Sequence, residues 1–147
     1  LARVGVGHAA LLRDPARSTP TAPPSAGRGQ DDRRPVLEAA DVALGLRYLV
    51  DFAVLVVEDG TDATVIRACV DGAAYAGAHL VVLARDGQAL GGLPDATTVI
   101  AAPRRDPDGA FARFVGTWVA ALDRGDEART ALAQAVAATG WEAAPGD

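Results

Sequence analysis

The chain has 147 residues, half of them apolar, and a formal net charge of −5, which suits one domain built on a single core. All fourteen basic residues are Arg, because Lys, like Asn and Met, is absent; this excludes Schiff-base chemistry and a Walker-type phosphate-loop lysine. Those arginines are scattered, with only pairs at Arg33-Arg34 and Arg104-Arg105, which is no electrostatic footprint for nucleic acid.

Residues 1–12, LARVGVGHAALL, read as a short strand through Val6, a Gly turn and a helix start from His8. Residues 13–35 are rich in Pro, Ser and Arg and too polar to bury enough surface to offset ordering, which predicts a long mobile loop. Val36–Ala40 either forms a short strand or opens a helix that continues through Val42, Leu44, Leu46, Tyr48 and Leu49.

Val54–Val57 and Leu80–Leu83 lack any alternation of apolar and polar residues. That is the pattern of strands buried on both faces of a parallel sheet. Between them Thr61 is placed to cap a helix that carries Val65, Ile66, Cys69, Val70 and Ala73 at spacings of three and four, and Gly77 ends it. A helix of about fifteen residues between parallel strands demands a right-handed crossover and sets the Glu58–Asp62 turn at the carboxyl edge of the sheet, where open α/β sheets take ligands.

RDGQALGGLPDA follows, too short for another crossover helix, and then a strand over Thr97–Ala102 that Pro103 stops. From Asp108 to Asp123, Phe111, Phe114, Val115, Trp118, Val119 and Leu122 recur at helical spacing, an amphipathic helix that ends at Gly125. Asp126–Thr139 forms a second, Ala-rich helix, and Trp141 packs ahead of a frayed tail.

From Val54 to Pro103 the order is strand, Gly turn, helix, Gly77-Ala78, strand, the loop Gly87-Gln88-Ala89-Leu90, then Pro94-Asp95 and a last strand. This resembles the SIS (sugar isomerase) domain, whose strand–SxSGxT–helix–GA–strand unit is followed by a short SPLA…AD segment and another strand. Within that family it is most similar to the phosphoglucose/phosphomannose isomerase-like (TobH-type) branch, where the turn is acidic and Gly-rich. The resemblance implies an α/β fold of three layers, with a mainly parallel four- or five-stranded sheet (SIS or flavodoxin-like) and two C-terminal helices. Residues 36–147 would form that domain and residues 1–12 would complete its sheet.

It also implies a small-molecule sugar phosphate as ligand, no cofactor, no metal, and a homodimer or partner subunit that completes the site. The turn that corresponds to the family's phosphate turn is Glu58, Asp59, Gly60, Thr61 and Asp62, and Arg104 and Arg105, by their own position after a strand end, are expected to reach an anionic ligand at the same edge. Aldose–ketose isomerisation through an enediol needs a carboxylate base and an acid; Glu58 and His8 are the candidates. His79, next to Gly77-Ala78, is expected on the opposite edge, and Cys69 is expected to be a small buried apolar residue.

Where the family's turn carries hydroxyls for a phosphate, only Gly60 and Thr61 remain here. Repulsion between a carboxylate and a phosphate about 5–6 Å apart at an effective dielectric of about 20 is roughly 3 kcal/mol, against about 0.3–1 kcal/mol of attraction from a helix N-terminus. Two functions follow. One is a sugar-phosphate-binding domain related to phosphosugar isomerases, with weakened or absent catalysis in isolation. The other is a non-catalytic regulatory or oligomerisation module that has lost the phosphate site.

Fragments of the chain are similar to other α/β families, such as VLVVEDG to response-regulator receivers, but each lacks that family's chemical residues. One cysteine with no paired-Cys spacing, no apolar run near the roughly twenty residues of a membrane span and no secretory-signal pattern predict a cytoplasmic protein with no membrane partner. The absence of Met at position 1 reads as processing, trimming or a fragment.

Overall fold

The computed structural model describes residues 37–49, 51–58, 62–84, 91–103 and 105–141. The strand and helix start expected over 1–12, and the loop expected over 13–35, lie outside them. The described elements run α1 (Ala39–Tyr48), β1 (Val54–Glu58), α2 (Ala63–Ala76), β2 (His79–Ala84), β3 (Thr98–Ala101), α3 (Ala110–Asp123) and α4 (Ala128–Thr139). Of the two readings open for Val36–Ala40, the helix holds from Ala39, and the backbone N–H of Glu38 donates to the Asp41 carboxylate at 3.3 Å at its start.

The strands form one parallel sheet in the order β1-β2-β3. Val54 lies opposite His79 and Glu58 opposite Leu83, while Val81 lies opposite Thr98 and Ala84 opposite Ala101 on the other side of β2. The expected α/β class and parallel pairing are present, but the described residues supply three strands rather than four or five.

The two apolar runs also differ in a way their composition does not reveal. Central β2 is buried from Leu80 to Ala84, as its run demands. In β1 only Val57 is buried, and Val56 is 37% exposed. An uninterrupted apolar run permits burial on both faces; a strand's position in the sheet decides whether it happens.

Alternation along β2 sorts the molecule into two cores. Val81 and Leu83 face α3 and α4, where Phe114 and Trp118 are 0% and 1% exposed. Leu80 and Val82 face the other way, onto Val57 and the Val65, Cys69 and Ala73 stripe of α2. Complete burial of a side chain such as Phe114 contributes about 1.5–3 kcal/mol. Trp141 is packed as expected, stacked on Phe114 with ring centroids 4.3 Å apart. Trp118 Nε1 donates to the Ala128 carbonyl at 3.5 Å, tying α3 to the first turn of α4.

Local chemistry sets the helix limits. Asp62, not Thr61, caps α2: its side chain accepts from the Thr64 backbone N–H at 2.7 Å, while Thr61 lies outside the described residues. Gly77 ends α2 at φ 65°, the left-handed conformation a C-terminal glycine supplies without steric cost. α1 seats on α2 where Gly72 leaves room, since a Cβ there would collide with Leu46 Cδ1. Leu93 packs into the α2-side core, so the part of the β2–β3 connection that carries it reaches that face, and no helix occurs among the connection's described residues. No helix of the described residues is long and apolar enough to cross a membrane.

Candidate functional site

In a parallel sheet all strands end at the same edge, so β1, β2 and β3 bring Glu58, Ala84 and Ala101 to one side of the molecule, with the starts of α2 and α3 beside them. Of the residues expected to bind ligand, Glu58, Asp62 and Arg105 stand at this edge, and all three are exposed. His8, Asp59, Gly60, Thr61 and Arg104 lie outside the described residues.

Asp62 ends the turn after β1, where extended backbone gives way to α2. Its Oδ1 accepts both the backbone N–H of Thr64 at 2.7 Å and the Thr64 hydroxyl at 2.5 Å. These two bonds, the hydroxyl's first, hold the Asp62 carboxyl below the usual carboxylate range. The side chain therefore fills the anion-favouring start of α2 from within the chain.

The start of α3 is filled in the same way. Asp106-Pro107-Asp108-Gly109 makes a turn closed by the Gly109 N–H on the Asp106 carbonyl at 3.2 Å, with Gly109 at φ 63°. That turn carries the Asp106 side chain over the first turn of α3, where it accepts from Phe111 N at 3.1 Å and Ala112 N at 2.9 Å. The bond from Ala112 is the main cause that lowers the Asp106 carboxyl, with Phe111, Ala110 and the charge of Arg113 adding to it against desolvation. Residue typing by strand ends and basic pairs overlooks Asp106. The signal is the D-P-D-G turn itself, a type I pattern with Asp first, Pro second and Gly last. This cap is also why α3 begins at Ala110 instead of Asp108. Glu127 has the same effect on α4, accepting from Thr130 N at 2.9 Å and moving the start expected at Asp126 to Ala128.

The remaining candidates fall elsewhere. His79 begins β2, at the opposite end of the sheet, where its Nε2 lies 2.9 Å from Thr98 Oγ1 and its ring meets Trp118 edge-on at 6.5 Å. Cys69 is buried on the inner face of α2, and burial pushes its thiol up, away from thiolate reactivity. Among the described residues no three His, Cys, Asp or Glu side chains gather where they would hold a metal ion.

Among the described residues the edge carries Glu58, Asp62 and Asp106 beside Arg105, and at its two helix starts the N–H groups of Thr64, Phe111 and Ala112 donate to the chain's own carboxylates. Its chemistry suits a hydroxyl-bearing or cationic group better than an anion. No protein-family model, no curated protein and no solved structure matches this chain.

Proposed function

We propose that this chain is a non-catalytic regulatory or oligomerisation module that keeps an SIS-like sheet and has lost the phosphate site. The observation that carries this reading is the filling of both helix starts at the carboxyl edge by Asp62 and Asp106. A phosphate seated at either start would have to displace an internal acceptor and then face that carboxylate's charge. Sequential parallel strands, with α2 on one face and α3 on the other, match the last three strands of a flavodoxin-like order, 2-1-3-4-5.

Catalysis has little support in the same residues. Isomerisation needs an acid and a base on one ligand; Glu58 is at the carboxyl edge, His8 lies outside the described residues, and the other histidine, His79, is engaged with Thr98 at the far end of the sheet. Sugar-phosphate binding at the Glu58–Asp62 turn, completed by a partner subunit, is the second reading. It is favoured by the position of Glu58, Asp62 and Arg105 at the edge where open sheets take ligands.

NMR and thermal-shift titration with glucose 6-phosphate, fructose 6-phosphate and mannose 6-phosphate separates the two readings. The expected result is no shift at millimolar ligand. Saturable chemical-shift changes around Glu58 and Asp62 would replace the first reading with the second.

A further inference from the structure

β3 has β2 as its neighbour in the sheet, and among the described residues no strand pairs with its other edge. Ala102 N–H donates to the Ala84 carbonyl at 2.7 Å. Backbone groups alternate in direction along a strand, so Thr98 and Ile100 turn to β2 with Ala102, whereas Val99 and Ala101 turn their N–H and C=O groups outward. α2 lies against β1 and β2, and α3 against β1, so neither overhangs this edge. Edge strands are ordinarily guarded by a charge or a proline, yet Thr98-Val99-Ile100-Ala101 has neither, and Val99 is 49% exposed. In the flavodoxin-like order proposed above, further strands join at β1 and β3 stays outermost.

We propose that this edge pairs with the same edge of a second copy of the chain, as an antiparallel β3–β3 joint about a twofold axis that passes Ile100. Two features select this occupant. Outward-turned residues must face each other across the joint, and an axis at Ile100 sets Val99 opposite Ala101 of the second copy, twice, each pair exchanging both backbone hydrogen bonds. The same axis is midway between Asp95 and Arg105, five residues to either side, and so brings each copy's Asp95 to the end of the joint where the other copy's Arg105 stands. Both side chains are exposed, and neither makes an ion pair or a side-chain hydrogen bond among the described residues.

Pro103, which has no N–H, ends the ladder, and the four residues of β3 extend about 3.3 Å each. So short a joint buries less than the roughly 800 Å² per partner of a stable interface. It is therefore a weak, concentration-dependent dimer with Kd on the order of 100 µM. This inference rests on reading the chain as an oligomerisation module.

Sedimentation equilibrium of the full chain from about 10 µM to about 1 mM is expected to show a monomer–dimer equilibrium. Over the same range amide exchange at Val99 and Ala101 slows, while Thr98 and Ile100, bonded to β2, hold constant. Val99→Pro removes an outward N–H without touching the ladder to β2, and abolishes association with circular dichroism unchanged. Asp95→Arg and Arg105→Asp each weaken association about tenfold alone. Mixed in equal amounts they recover it, because both pairs across the joint are then of opposite charge; these variants lie outside β3 and carry the test if Val99→Pro does not fold. A monomer at every concentration, association that leaves exchange at Val99 and Ala101 unchanged, or a mixture no tighter than its components would overturn the proposal. Protection of both amides that does not vary with concentration would overturn it as well, since another segment of the same chain would then hold the edge. Failure here with no sugar-phosphate response removes the joint and leaves the module reading, whereas a sugar-phosphate response removes that reading whatever the association.

Discussion

Asp62, Asp106 and Glu127 each accept hydrogen bonds at the start of a helix, and in each case those bonds lower the carboxyl below its ordinary range. A group whose folded-state pKa is depressed contributes stability above its unfolded pKa and loses that contribution as pH falls through the folded value. Resistance to urea is therefore expected to decline once pH drops below about 4, the unfolded range of these groups. Asp106→Asn keeps one acceptor of the two that Phe111 and Ala112 use and loses the charge, so it lowers stability at neutral pH and flattens the acid decline. Urea midpoints for both proteins across pH 2–7 check this, and parallel acid limbs would deny Asp106 its part. Phe114 has the opposite character, fully buried between Trp118 and Trp141 with stacked rings on each side. Phe114→Ala is expected to cost about 3–5 kcal/mol in urea unfolding, and a loss under about 1 kcal/mol would mean that the neighbouring rings close the gap.

At the scale of elements, Gly72 shows how one missing side chain places a helix. Its open Cα is where Leu46 enters, and through that contact α1 lies on α2 instead of on the sheet. Gly72→Val forces Leu46 out of its seat, with an expected cost of about 1–3 kcal/mol from overpacking. Amide exchange should quicken throughout α1 while β2 keeps its protection; unchanged α1 protection would show that Leu46 simply turns aside.

Helical periodicity made α2, α3 and α4 legible in the sequence to within two residues, because the apolar face that each helix buries recurs in the chain itself. Their exact starts were less legible. Capping depends on where a carboxylate lands, and Asp106 acts from four residues ahead of Ala110, through a turn. The candidate site was legible only as an edge: strand order puts Glu58, Asp62 and Arg105 there, but the internal use of Asp62 and Asp106 as caps follows from distances that spacing does not encode. The exposure of β1 escapes the sequence for a related reason, since Val54–Val57 and Leu80–Leu83 both consist of Val and Leu alone and differ in what lies beside them.

Across the whole molecule, β2 belongs to both cores at once. Successive residues Val81 and Val82 are 0% and 1% exposed, one turned to the aromatic side with Phe114 and Trp118, the other to the aliphatic side with Val65 and Cys69. Neither core can be lost while β2 stays in place for the other, so the described fold should unfold in a single cooperative step. Both tryptophans report on the aromatic side alone, which makes the coupling measurable. Val82→Ala removes two methyl groups from the aliphatic side, at a cost of about 2 kcal/mol including the cavity left behind. If the cores unfold together, tryptophan fluorescence and far-ultraviolet circular dichroism should record the same lowered urea midpoint with an unchanged slope. A fluorescence midpoint that stays at the parent value while the dichroism midpoint falls would mean that the α3–α4 layer holds the sheet without α2, and that the two faces of β2 are separable.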